Sequence, residues 1–353
     1  MRKLAAAAIM ALASPAGAAD RDLLRVIVID VEGGAATLYV TPGGRSLLVD
    51  TGWPANMGGP PGQPGPSSAD RIIATARAEG LRRIDYLMVS HYHVDHVGGA
   101  AELLGKFPVG TVIDHGPNRE RPEPGKGPGP SAPATLYPRY LAAIGARPHR
   151  VMRPGNRLDV DGLVVTALDS DGAVPARPQP GAGAPGTDCD KATPNAQLGG
   201  EENPRSLGFV ASWGKARLLS LADTTWEMEA KLVCPRDLIG PVDLMLADNH
   251  GSANSNNPVL IATVRPTAAA IANGATKGAD PSTYATLTAQ GSAVWQVHFA
   301  TRSPSANAPE PQIANPQGQD ARYPLRIGVS RGGSVTLTNP RNGFSITYPK
   351  RGL

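Results

Sequence analysis

At 353 residues with 41% hydrophobic content, the chain is long enough to bury a full core, as one large domain or two small ones. Its formal net charge of +4 permits a nucleic-acid partner without requiring one. No basic stripe interleaved with aromatics marks a dedicated nucleic-acid-binding module, and no stretch reaches the roughly 20 apolar residues that span a bilayer. Met1, Arg2 and Lys3 supply a positive start, Leu4 to Ala13 a short apolar run, and Ala16-Gly17-Ala18 a small-residue cleavage site. Residues 1–18 are therefore expected to be a secretion signal and the mature chain a periplasmic or secreted protein. Removing Arg2 and Lys3 takes the net charge from +4 to +2.

Residues 19–353 are expected to form one domain. Leu23 to Asp30, Ala36 to Thr41 and Ser46 to Asp50 read as three short strands joined by turns at Gly33-Gly34 and Pro42-Gly43-Gly44, an antiparallel meander. Ala69 to Arg82 has helical spacing, Ile84 to Ser90 is a buried strand, and a helix starts within Val97 to Phe107. Val109 to Asp114 is a strand, Ala134 to Ile144 a helix, and Leu158 to Leu168 a strand pair around Asp161-Gly162. Ser206 to Trp213 and Lys215 to Leu221 form a hairpin across Gly214. Thr225 to Val233 looks helical and stops at Cys234-Pro235. Val242 to Ala247 is a strand, helix and strand alternate over 258–299, and a small β-meander closes the chain from Tyr323. Pro- and Gly-rich segments at 54–66, 122–133 and 169–204 are surface loops.

Chemistry concentrates at His91-Tyr92-His93-Val94-Asp95-His96, in a chain that holds only 7 His. The cluster lies on a strand-to-helix loop, where α/β proteins place ligands. Imidazole nitrogen with carboxylate oxygen suits one or two divalent ions, zinc first, with manganese or iron as lesser fits. His91 and His93, two apart, point the same way on extended backbone, while Asp95 and His96 on the next turn can face a second ion. The two cysteines, Cys189 and Cys234, read as a disulfide in an oxidising compartment, or as two separate buried thiols.

The order Asp50-Thr51-Gly52, His91-x-His93-x-Asp95-His96, Asp223, His250, each at a strand end, resembles the metallo-β-lactamase superfamily over roughly residues 24 to 300. The run Asp30-Val31-Glu32-Gly33-Gly34-Ala35-Ala36 and the late His250-Gly251-Ser252 are most similar to the branch containing the metallo-β-lactamase-like domain of ComEC competence proteins. The resemblance implies an α/β (α+β) fold, a four-layer αββα sandwich with its metal site at one edge between two sheets. It implies one ion on His91 and His93, a second on Asp95, His96 and His250, Asp223 between them, and Asp50 in support. The family's third imidazole for the first ion has no counterpart here. Asn203 or Asp169 could fill that place, whereas His149 precedes the strand that should end in it. Asn249-His250 stands where the branch has two adjacent His, which leaves open whether the late ligand survives and whether one ion or two are held.

A divalent ion lowers the pKa of its water from about 15.7 towards ~7, and two ions ~3.5–4 Å apart can share the resulting hydroxide. Asp95 is the expected base that orients this nucleophile. His115 could donate to a leaving group, or simply bond its own loop. His298, Lys191, Lys277 and Arg205 are weaker candidates for meeting substrate. Tyr92 is expected to pack outward or line the pocket, and Trp53 and Trp226 to wall it or join the core. The expected function is an exported metal-dependent hydrolase of small-molecule or nucleotide-like substrates, phosphodiesters first. Lactone, β-lactam or other ester-amide hydrolysis and a non-catalytic binding scaffold are the alternatives.

Overall fold

The computed structural model describes residues 22–57, 65–122, 127–195, 201–318 and 322–351. The expected secretion signal and parts of the three Pro- and Gly-rich loops (58–64, 123–126 and 196–200) lie outside the described residues.

Strands β1 (Leu24–Val28), β2 (Thr37–Val40) and β3 (Ser46–Val49) form the expected antiparallel meander. Helix α1 (Ser68–Ala78) follows, capped by the Ser67 side chain on the Asp70 N–H. It ends earlier than its spacing predicts, because the chain reverses at Gly80 with φ +80°. β4 (Ile84–Met88) leads into the histidine loop, which is followed by two short helices, α2 (Val94–Val97) and α3 (Ala100–Lys106), rather than one. β5 (Val109–Asp114), α4 (Pro133–Ile144) and β6 (His149–Val151) complete this half.

The second half starts with the hairpin β7 (Arg157–Val160) and β8 (Leu163–Asp169), then a second antiparallel pair, β9 (Gly208–Trp213) and β10 (Ala216–Ser220). Parallel units follow: α5 (Trp226–Val233), β11 (Leu244–Leu246), α6 (Pro258–Val264), β12 (Ala268–Ile271), α7 (Pro281–Ala289), β13 (Ala293–His298) and β14 (Ile313–Asn315). The tail meander is β15 (Leu325–Val329), β16 (Val335–Asn339) and β17 (Phe344–Tyr348). β15 pairs antiparallel with β1, so the tail extends the first sheet.

The result is a nine-stranded sheet in the order β17-β16-β15-β1-β2-β3-β4-β5-β6 and an eight-stranded sheet in the order β14-β13-β12-β11-β10-β9-β8-β7. Alternation along β1 shows how they stack. Val26 and Val28 face a core shared with Phe209, Trp213 and Trp295 of the other sheet, while Ile27 and Ile29 face Ile72 of α1 and Leu103 of α3. The second sheet likewise turns Leu219, Met245 and Ala269 outward onto Leu232, Leu260 and Leu287 of its own helices. The central strands of both sheets are buried on both faces and so read as near-continuous apolar runs. This is the αββα sandwich. The two strands that sequence reading missed, β6 and β14, are three residues each; β6 is exposed and lies at a sheet edge, where alternation carries no signal.

Candidate metal centre

Parallel strands of both sheets end on the same side of the molecule, and there the histidine cluster meets residues from the second half. Asp50 follows β3, Ser90 to His96 follow β4, Asp223 follows β10 and His250 follows β11. The backbone bends sharply at this edge: Glu32, Asp50, Ala222, Asn249 and His250 all have φ between 48° and 61°. Left-handed backbone costs non-glycine residues of order 1–3 kcal/mol each and clusters where function demands a particular side-chain direction. Two such residues in succession, Asn249 and His250, turn the His250 ring into the cluster. The Asn249 position therefore does not break the site; its neighbour supplies the imidazole.

Asp95, His96, Asp223 and His250 are all buried, and one donor atom from each lies within 4.8 Å of the others. His96 Nε2 is 3.2 Å from His250 Nε2, 3.2 Å from Asp223 Oδ1 and 3.5 Å from Asp95 Oδ2, and His250 Nε2 is 3.0 Å from Asp95 Oδ2. Beside this group, His91 Nε2 lies 3.0 Å from His93 Nδ1, and the His91 and His96 rings are 4.1 Å apart.

Each imidazole is held by its other nitrogen. His96 Nδ1 is 2.8 Å from Asp50 Oδ2 and His250 Nδ1 is 3.0 Å from the Ala272 carbonyl. His93 Nε2 is 3.2 Å from Glu120 Oε2. Ser90 Oγ donates to Asp50 Oδ2 at 2.7 Å, so it accepts from His91 Nδ1 at 3.0 Å. These bonds leave the facing nitrogens, His91 Nε2 with His93 Nδ1 and His96 Nε2 with His250 Nε2, as lone pairs aimed at each other. Neutral imidazoles repel in that arrangement unless a cation sits between them. The residues therefore fit divalent ions, and outer bonds of this kind are what fix a ligating histidine's tautomer.

In the ion-free protein a proton on His96 meets part of that need. Burial alone would raise Asp95, but the His96, Lys277 and His250 charges hold its carboxyl well below the usual range. Asp223 is lowered likewise, its burial outweighed by His96 and His250. Burial would lower His96, yet Asp223, Asp95 and Asp50 hold it well above the ordinary histidine value. His91 is pushed well down by burial and by its neighbours His96 and His93.

The sequence profile of the metallo-beta-lactamase superfamily matches residues 29–270, more than half of the chain. The chain belongs to the metallo-beta-lactamase superfamily. A protein named UPF0173 metal-dependent hydrolase, from Anaeromyxobacter sp. (strain K), is 37% identical over 89 residues, covering 23% of this chain and 27% of that protein. A hydroxyacylglutathione hydrolase from a Synechococcus species is 38% identical over 56 residues, covering 16% of this chain and 21% of its own length. The matched segments thus span about a quarter of the length of these curated relatives. Among solved structures, the metallo-beta-lactamase fold protein YhfI from Bacillus subtilis is 13% identical with a TM-score of 0.45, covering 78% of this chain and 96% of that one.

Of the residues singled out from sequence, Asp95, His96, Asp223 and His250 come together at this edge, with His91 and His93 beside them. His115 is not among them. It is fully buried, its Nε2 lies 3.1 Å from Glu202 Oε2, and its ring packs on Tyr92, so it braces the loops around the site instead of facing a leaving group. Tyr92 does not pack outward; it is fully buried among Tyr137, Tyr140 and His115, with its hydroxyl donated to the Gly116 carbonyl. His149 bonds Asp114 Oδ2 at 2.7 Å, and His298 bonds Asp30 Oδ1 at 2.8 Å. Lys191 and Arg205 are paired with Asp188 and Asp171.

Asp169 and Asn203, considered as stand-ins for the third imidazole, are both buried with an unpartnered Oδ1. Burial pushes the Asp169 carboxyl up to about 7, and its Oδ2 accepts from Thr224, next to Asp223. Sequence reading missed Ser90, Glu120 and Glu202. Ser90 ends a recognisable strand beside the motif, but Glu120 and Glu202 lie in loops without periodicity, and only tertiary structure brings them to His93 and Tyr92.

Proposed function

We propose that this chain is an exported metal-dependent hydrolase that takes one or two divalent ions, zinc first, and cleaves phosphodiester bonds in small or nucleotide-like substrates. The observation that carries the hydrolase reading is the convergence of His96 and His250 with the Asp95 and Asp223 carboxylates, with His91 and His93 beside them and each of the four rings tied back through its other nitrogen. His96, Asp95, Asp223 and His250 would hold one ion, and His91 with His93 would offer a less complete place to another. When bound, such an ion supplies Lewis acidity and brings the pKa of coordinated water towards ~7.

The protein's own residues do the rest. Asp95, buried against His250 and reached by Lys277, is placed to accept a proton from an attacking water. Asp50 and Ser90 keep His96 and His91 in the tautomers that face inward. Support for phosphodiesters comes from the Asp30 to Ala36 and His250-Gly251-Ser252 segments, which resemble the ComEC-like branch. Ester hydrolysis is the second reading, favoured by the match to a hydroxyacylglutathione hydrolase. Export rests on the signal-like residues 1–18 and agrees with the Cys189–Cys234 disulfide.

The test is an assay of purified protein against a chromogenic phosphodiester, a lactone and a chromogenic β-lactam, with and without chelator. Turnover of the phosphodiester that chelation abolishes and zinc or manganese restores is expected. Turnover indifferent to chelation rejects the metal reading, and turnover of the lactone alone transfers the assignment to ester hydrolysis.

A further inference from the structure

We propose that Lys277 is a resident counter-cation for Asp95, which a divalent ion must displace, so that this lysine sets how tightly the centre holds its ion. The proposal rests on the metallo-hydrolase reading and refines it. Lys277 Nζ contacts Asp95 Oδ2, the oxygen that lies 3.0 Å from His250 Nε2 and 3.5 Å from His96 Nε2. An ion that took this oxygen and these nitrogens as ligands, at about 2.0–2.2 Å from each, would share one carboxylate oxygen with an ammonium. Two cations on one oxygen repel strongly in a buried setting. The two compete for that oxygen, and the lysine is the one with somewhere to go: its side chain is 36% exposed, whereas that of Asp95 is 9% and those of His96 and His250 are 1% and 2%.

Lys277 is held where it is. Its ammonium lies 5.0 Å from the centre of the Trp53 ring, within cation–π range. Its carbonyl accepts from Gly274 N at 3.0 Å. Gly274 in turn packs on Gly33 so closely that a Cβ on Gly33 would lie 2.8 Å from Gly274 N. A Cβ on Gly34 would lie 2.8 Å from the Asp95 carbonyl oxygen and 2.9 Å from Trp53 Nε1. The Gly33-Gly34 pair thus does more than turn the chain: it lets the segments carrying Asp95, Trp53 and Lys277 meet.

The experiment is zinc titration of the full, ion-free chain in competition with a chelating dye of known affinity, for wild type, Lys277→Met, Lys277→Gln and Lys277→Arg, with circular dichroism to confirm folding. Lys277→Met and Lys277→Gln are expected to bind their first zinc at least tenfold more tightly than wild type, and Lys277→Arg within about threefold of it. Equal or weaker binding by the two neutral variants overturns the proposal, as does an arginine variant that behaves like them. If none of the four proteins binds zinc, the metallo-hydrolase reading falls and takes this inference with it. If all four bind equally, only the role of Lys277 falls.

Discussion

A buried imidazole offers a metal a lone pair only if its second nitrogen carries the proton and has an acceptor. At this centre the acceptors are chemically unlike: the Asp50 carboxylate for His96, the Ser90 hydroxyl for His91, the Ala272 carbonyl for His250 and the Glu120 carboxylate for His93. Glu120 is the acceptor that substitution tests most cleanly, because its loop contributes little to the core. Glu120→Gln keeps the shape and removes the charge. It should weaken zinc binding by about 10- to 100-fold in a chelator competition, with an unchanged circular dichroism spectrum; affinity equal to wild type would show that the Glu120 charge does not support His93 as a ligand. Asp95 makes the stronger demand. Asp95→Asn should lower turnover of whichever substrate the protein accepts by about a hundredfold or more, with the melting temperature of the ion-free protein measured alongside to separate chemistry from folding.

Elements bring these residues together, and how legible each one was in the sequence follows from its burial. β5 and helices α6 and α7, buried or bounded by proline, were readable almost to the residue from apolar runs and Pro258 and Pro281. The placement of the six candidate residues at one edge was readable as well, because a motif at a strand end fixes position locally. His115 was not: a histidine closing a buried strand looks the same whether it faces substrate or a buried Glu202 eighty-seven residues away. The long loop 169–204 was equally opaque. It has no periodicity, yet it is fastened to α5 by the Cys189–Cys234 disulfide and by Trp226 Nε1 donating to the Thr193 carbonyl at 2.7 Å. α5 begins three residues after Asp223, so this fastening steadies one wall of the centre. The bridge spans 45 residues of sequence, for which chain entropy predicts a contribution of about 4 kcal/mol. The double variant Cys189→Ser, Cys234→Ser should lose about that much in urea unfolding, and reducing the wild type should produce the same loss. A loss well under 1 kcal/mol would mean that the loop is held by its other contacts alone.

Across the whole molecule, the candidate metal centre sits on the seam between two sheets, so whatever joins the sheets also shapes the site. Asp30, just past β1, reaches His298 at the end of β13 at 2.8 Å and Asn315 of β14 at 3.3 Å, tying one sheet to the other. Arg71 adds its guanidinium to Glu32 at 3.1 Å on the same side. A seam rich in acids carries a pH signature in global stability. Asp169, fully buried at the end of β8, has its carboxyl raised by burial from 3.8 to about 7. Below about pH 4 it is protonated in both folded and unfolded chains and its contribution is fully present. As pH rises, the unfolded chain ionises first while the folded one keeps its proton, so stability falls until the folded carboxyl ionises near 7. The full span corresponds to roughly 4 kcal/mol. In ion-free protein, urea unfolding between pH 4 and pH 8 should therefore show stability declining with pH from this group. Asp169→Asn, which has no proton to lose, should be the more stable protein at pH 7 by up to that amount and should lose that part of the slope. If the two proteins instead run parallel across the range, the Asp169 carboxyl is ionised in the fold throughout, and an unmatched charge sits beside Thr224 and the loop that delivers Asp223.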